Sequence, residues 1–154
     1  MNEQAILLKI VKTWNISSSP EYRGFRCAYC QQYRNQSWYH WLRSSGFIVP
    51  LHLCEEVCHS KFEAGKLEFK ENPDYQRNPL ENNYSEKAKE KFEEIIESWD
   101  MNQKPILKAF VCDLCHQDLA IDPIDNLRKG YHVWYETKRG DYAELHFHRT
   151  CLPD

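Results

Sequence analysis

Seven cysteines and one histidine fall into two copies of a single spacing pattern, and that pattern narrows the folds open to this chain. Cys27-Ala-Tyr-Cys30 is followed after 23 residues by Cys54-Glu-Glu-Val-Cys58, and Cys112-Asp-Leu-Cys115 after 32 residues by His148-Arg-Thr-Cys151. Each half carries a Cys-x-x-Cys hook and then a second pair of ligand-type residues, with the hooks offset by 85 residues. Zinc takes four sulfur or nitrogen donors in a tetrahedron, and a Cys-x-x-Cys knuckle supplies two of them from one tight turn. The expected ligands are Cys27, Cys30, Cys54 and Cys58 for one ion, and Cys112, Cys115, His148 and Cys151 for a second.

Disulfides are the rival use of so many cysteines. The count is odd, the N-terminal apolar run Ala5-Ile6-Leu7-Leu8 is cut by Lys9 and Lys12 as no secretory signal would be, and the paired hooks have zinc spacing. A reducing, cytoplasmic setting is the resulting expectation. No stretch of 18 apolar residues occurs, so no membrane span is expected. At 154 residues and 42% apolar content the chain can bury a core, as one domain or two small ones. Modules of about 40 to 50 residues bury little surface unaided, which is where a metal ion contributes most.

The segments around the ligands read as a repeated plan. After the first hook, Trp38-Tyr39-His40-Trp41-Leu42 has strand composition, Arg43-Ser-Ser-Gly46 is a turn, and Phe47 to Leu53 returns, with Pro50 suggesting an edge or a bulge. Cys54 and Cys58, four apart, suit one face of a starting helix. After the second hook, Tyr131 to Glu136 is a strand, Lys138-Arg-Gly-Asp141 a turn, and Tyr142 to Phe147 the returning strand. Between the halves lies a polar stretch with Pro73 and Pro79. Then comes an amphipathic helix from Ser85, with Ala88, Phe92, Ile95, Ile96 and Trp99 on one stripe. That stripe reads as a core-facing surface, with an acidic interaction helix as the alternative. Near the N-terminus, residues 4–14 suit a strand, with Ile6, Leu8 and Ile10 alternating, or a short helix, with Ile6, Leu7, Ile10, Val11 and Trp14 on one face; the β-branched Ile6, Ile10 and Val11 favour the strand. The expected fold is α+β: two small zinc modules, each a β-hairpin plus a helix, at 1–62 and 105–154, joined by a connector and helix at 63–104.

Other histidines compete for the metal. His52 or His59 can stand in for a cysteine at the first site, and His146 for His148 at the second. His148 is favoured because His-x-x-Cys presents both donors from one turn. His116 reads as a surface residue or one placed beside the site, and His40 and His132, in aromatic strands, as packed histidines. Four protein donors leave no open position for water or substrate, so both ions read as structural. The chain has no phosphate-binding glycine loop, no nucleophile elbow and no zinc-deaminase signature. An enzyme and a small-molecule substrate are therefore not expected.

These residues resemble known zinc-binding families. Cys112 to Cys115, Tyr131-His-Val-Trp-Tyr and Leu145-His-Phe-His148-Arg-Thr-Cys151 look like a treble-clef finger of the LIM type, which implies a binding role. Leu53-Cys54-Glu-Glu-Val-Cys58-His59-Ser-Lys61 resembles the closing segment of the HNH-nuclease zinc scaffold. It has one residue more between the cysteines and one fewer between histidine and lysine. Residues 31–53 hold only His40 and His52 and no carboxylate, so the catalytic His pair and acid of that family are missing. The resemblance implies the scaffold without the chemistry, and a divergent nuclease is the least favoured reading.

Residues 22–43 interleave seven aromatics with four arginines, and residues 21–53 carry a net charge of +3 in a chain of −3. Arg23, Arg26, Arg34, Trp38, Tyr39, Trp41 and Arg43 are thus the expected partner-binding surface. Such a surface suits a protein or nucleoprotein partner, with single-stranded nucleic acid as the alternative.

Overall fold

The structure is a computed structural model that describes residues 3–14, 16, 20–44, 46–68, 80 and 83–153. Among these, the chain runs α1 (Glu3–Val11), β1 (Glu21–Gly24), β2 (Gln36–Ser44), β3 (Phe47–Leu53), α2 (Cys58–Glu63), α3 (Glu86–Glu97), β4 (Ile106–Ala109), β5 (Lys129–Glu136) and β6 (Tyr142–Phe147), closing on a 3-10 turn at Arg149–Cys151. The α+β class is the one expected. The middle of the connector, 69–79, and residues 15 and 17–19 of the loop between α1 and β1 lie outside the described residues.

All six strands join one sheet in the order β1-β5-β6-β3-β2-β4. The two expected hairpins are present. β2 and β3 pair from Trp38↔Leu53 to Ser44↔Phe47, and β5 and β6 from Tyr131↔Phe147 to Glu136↔Tyr142. Gly46 (φ 83°) and Gly140 (φ 86°) take the left-handed conformation that these tight returns demand. The lead-in strands are exchanged: β1, ahead of the first hook, pairs with β5, while β4, ahead of the second hook, pairs with β2. The hairpins meet where β3 and β6 run parallel, at Phe47↔Tyr142 and Ile48↔Ala143 only. Pro50, expected at an edge or bulge, sits two residues past the end of that short ladder, within a strand central to the sheet.

Residues 4–14 do not form the strand their β-branched residues favour. Leu7, Ile10 and Val11, spaced by three and four, are buried on one face of α1. Burial of an apolar face outweighs a weak local preference. Gln4 anchors the helix by donating through Nε2 to Trp41 O (2.8 Å) and accepting through Oε1 from Arg43 N (2.9 Å), so its amide satisfies backbone of β2 beyond the reach of β4. α1 packs with Leu42, Phe47, Val49, Leu51 and Leu53. α3 packs with Val133, Tyr135, Leu145 and Phe147.

α3 starts as the sequence expects, with Ser85 Oγ accepting from Ala88 N at 3.1 Å. Ala88, Phe92, Ile95 and Ile96 are buried, and Glu93 accepts from Tyr135 Oη (2.8 Å) and Lys138 N (2.9 Å). The stripe is therefore a core surface. The second module differs from the expected hairpin plus helix in closing on a 3-10 turn. Pro153 disfavours a helical Leu152, which is extended (φ −60°, ψ 118°). Phe92 is fully buried between Tyr84, Tyr135 and Phe147. Phe92→Ala should therefore cost about 3–5 kcal/mol in urea unfolding; a loss below about 1 kcal/mol would mean that α3 is not part of the core.

Candidate metal centres

Each hook is shaped by the same backbone bonds. Cys27 N donates to Gln32 O (2.9 Å) and Gln31 N to Cys27 O (3.1 Å); Cys112 N donates to Gln117 O (2.9 Å) and His116 N to Cys112 O (3.0 Å). Gln31 and His116 both sit at positive φ, 64° and 62°. The flanking bridges Arg26↔Tyr33 and Val111↔Asp118 match in turn. Each hook is then tied to a returning strand: Ala28 N donates to His52 O (2.7 Å) and Asp113 N to His146 O (2.8 Å). The repeat is thus a repeat of geometry, although the two halves share few residues.

The hooks bring the expected donors together. The sulfur atoms of Cys27, Cys30, Cys54 and Cys58 lie within 4.8 Å of one another, as do the donors of Cys112, Cys115, His148 and Cys151. Both sets are the soft, tetrahedral kind that suits zinc. At the first, Cys54 N donates to Cys27 Sγ (3.4 Å) and Cys58 N to Cys54 Sγ (3.5 Å). Burial pushes the Cys54 thiol up, but N–H donors from Cys58 and Val57 outweigh it and bring the group to about 7. Burial and the neighbouring Cys27 charge push Cys58 far up. α2 begins at Cys58 itself, so Cys54 lies before the helix rather than on its first turn.

At the second centre His148 Nδ1 lies 3.4 Å from Cys115 Sγ and 3.9 Å from Cys151 Sγ. Its Nε2 is 3.0 Å from Asp118 O, an acceptor, so the proton sits on Nε2 and the Nδ1 lone pair is free for a metal. The competing histidines go elsewhere. His59 Nδ1 meets His40 Nε2 at 3.0 Å, and its ring stacks on Trp38. His52 is buried against Tyr39 and Phe110. His146 joins His132 and Glu144 in a third, buried group. Glu144 carried no weight in the sequence reading. Its position was legible once the 137–141 turn set the register, because His132 then faces His146 across the hairpin with Glu144 two residues away.

The expected partner surface is largely spent on internal contacts. Tyr39 is buried and its hydroxyl donates to Ala109 O (3.0 Å), so it is not an exposed residue. Trp38 covers His59, with the rings 4.1 Å apart and 5° from parallel, and Trp41 meets Trp99 at 5.1 Å. Arg23 Nη2 reaches His132 Nδ1 at 3.5 Å. Arg43 is exposed, with its backbone bound by Gln4. Arg26 lies over the Tyr33 ring, 5.7 Å from its centre. Arg34 turns toward the first metal centre. Burial would lower its pKa, but a hydrogen bond to Cys54 and the charges of Glu56, Cys54 and Cys30 hold it above its ordinary value. Its Nε lies 3.1 Å from Glu56 Oε2 as an ion pair off the hydrogen-bond line. Four thiolates around a divalent ion carry two excess negative charges, which Arg34 partly offsets.

No protein-family model, curated protein or solved structure matches this chain. No described helix is long and apolar enough to cross a membrane.

Binding energy at such sites acts as folding energy, on the order of 10 kcal/mol per ion in zinc-finger peptides. A strong chelator should therefore unfold the protein, with loss of its circular-dichroism spectrum; a spectrum unchanged after verified metal removal would refute this. Arg34→Ala should weaken zinc at the first centre by roughly 10- to 100-fold in a chelator competition and leave the second unchanged. Equal retention at both centres would show that Arg34 does not support the ion.

Proposed function

We propose that the protein is a non-enzymatic binding module framed by two structural zinc ions, and that it docks a protein partner on the outer edge of its sheet. The observation that carries this reading is the closure of both donor sets: four ligand atoms converge in each, which leaves no coordination position for chemistry. The order of hook, hairpin and second ligand pair in each half supports treble-clef-type modules, whose use is mostly in binding.

The docking surface is narrower than the sequence suggests. Tyr22 and Tyr33 are 47% and 50% exposed, unlike the buried Tyr39. The Tyr33 ring lies against Gly24 of β1, where a Cβ would come within 2.9 Å of it. Tyr22 and Gly24 are two apart on an edge strand, so both rings share one side of that edge. Arg149 covers Tyr22 at 5.1 Å, as Arg26 covers Tyr33. Exposed tyrosines flanked by arginines are the residue types that dominate protein interfaces. The same pairing also suits stacking of single-stranded bases, which is the second reading.

One experiment separates them. The tagged protein is purified from its native host with and without nuclease, alongside the double variant Arg26→Glu, Tyr33→Ala. A protein partner should survive nuclease treatment and be lost from the variant. Loss on nuclease treatment alone would move the reading to nucleic acid, and an undiminished partner on the variant would remove the β1 edge as the interface. Unchanged zinc content and circular dichroism establish that the variant is folded.

A further inference from the structure

The repeat makes it possible to ask where the two halves differ. In β2–β3, Tyr39 faces His52 and Trp41 faces Pro50; in β5–β6, His132 faces His146 and Trp134 faces Glu144. Because β4 pairs with β2 as β1 pairs with β5, Tyr39 and His132 are equivalent, as are Pro50 and Glu144, and His52 and His146. The first half holds Tyr, Pro and His at these positions. The second holds His, Glu and His.

Those three residues are 7%, 4% and 4% exposed, and one donor atom from each lies within 4.8 Å of the others. Glu144 Oε1 is 2.5 Å from His146 Nε2 and 3.7 Å from His132 Nδ1. The second distance is too long for a hydrogen bond. Arg23, which can only donate, approaches the same His132 Nδ1 at 3.5 Å, so that nitrogen presents a lone pair. On that assignment His132 Nδ1 donates no proton to Glu144 Oε1, and an ion taking its lone pair displaces the Arg23 contact. His132 Nε2 has no hydrogen-bond partner among the described residues, although it is buried.

The group is not sealed. His132 and Glu144 form part of the wall of a cleft of about 450 Å³, bounded also by Trp14, Arg23, Trp134 and His52. Two imidazoles and one carboxylate, with His132 and Glu144 on the cleft wall and His146 behind them, are the donor set of metal sites that keep free coordination positions, unlike the two sulfur-rich centres.

We propose that His132, Glu144 and His146 form a third metal site, for a divalent first-row transition ion held by nitrogen and oxygen, with its open positions facing the cleft. Donors about 2.0–2.2 Å from such an ion stand roughly 3 Å apart or more. His146 and Glu144 need to separate by about half an ångström, a side-chain rotation, the proton of their 2.5 Å contact leaves to solvent as the ion binds, and His132 draws in. Arg23 at the mouth gives the bound ion a cationic neighbour, so the exogenous ligand expected there is a small anion such as phosphate or a carboxylate.

The test is metal counting on the full chain reconstituted with excess Zn2+ and passed through a desalting column. Three ions per chain are expected, with His132→Ala and Glu144→Gln each retaining two and a wild-type circular-dichroism spectrum. Two ions in the wild type, or a third that persists in both variants, would overturn the proposal. If the variants misfold, the wild type still decides it. With Co2+, the first two equivalents should give intense thiolate charge-transfer bands. The third should add only weak d–d bands, shifted by millimolar inorganic phosphate. A third equivalent with charge-transfer intensity would place the ion on cysteine instead, and bands indifferent to phosphate would exclude the open position.

Discussion

Four sulfur atoms packed within 4.8 Å cannot all carry charge without a cation among them, and the rest of this structure is arranged around that constraint. At the first centre the thiols are driven apart in acidity. Backbone donors bring Cys54 to about 7 despite burial, while burial and the Cys27 charge drive Cys58 far up. A divalent ion removes the conflict by neutralising two thiolates outright, and Arg34 with the local N–H groups addresses what remains. The hook turns, with Gln31 and His116 at positive φ, are strained for non-glycine residues and are closed by the bonds from Cys27 N to Gln32 O and from Cys112 N to Gln117 O.

The metal centres set where strands end, and the sheet joins the centres to each other. Each hook is fastened to its own returning strand through His52 O or His146 O, yet its lead-in strand pairs with the other half's hairpin. Asn35 strengthens the exchange: its side chain accepts from Arg128 N and donates to Asn126 O, tying the loop after the first hook to the loop before β5. Unravelling one centre therefore strips a neighbour from the hairpin of the other. A small domain that buries little apolar surface gains its cooperativity from this cross-bracing as well as from its core.

Ligand spacing and both hairpins were legible because they depend on local chemistry: donor separation, glycine at the turn, strand composition. The same holds for α3, whose Ser85 cap and apolar stripe are written within one segment. α1 is not legible locally, because Ile6, Leu8 and Ile10 alternate as in a strand while Ile6, Leu7, Ile10 and Val11 make a helical face, and only the face of β2–β3 decides between them. The aromatic and arginine surface is only partly legible for a related reason. Composition shows that Trp38, Tyr39 and Arg34 can bind something, but not that His59, Ala109 and Cys54 already take them up. A lone glutamate in a strand reads as a solvated residue until the register puts Glu144 two residues from His146 and diagonal to His132.

Pseudo-symmetry gives the His132–Glu144–His146 group its meaning. Where the halves agree, at the hook backbone, at the two phenylalanines Phe25 and Phe110 that pack 4.3 Å apart, and at His52 and His146, the shared residue has a shared structural task. A buried carboxylate is not part of that task, since Pro50 fills the equivalent place. Burial opposes the charge of Glu144, and only interaction with His146 and His132 keeps the group well below the ordinary range. A buried carboxylate held among imidazoles adds little stability over a packed apolar residue of the same volume. The equivalent Pro50 shows that the sheet does not require a carboxylate here, and the place of Glu144 beside two imidazoles on the wall of a cleft fits the metal site proposed above.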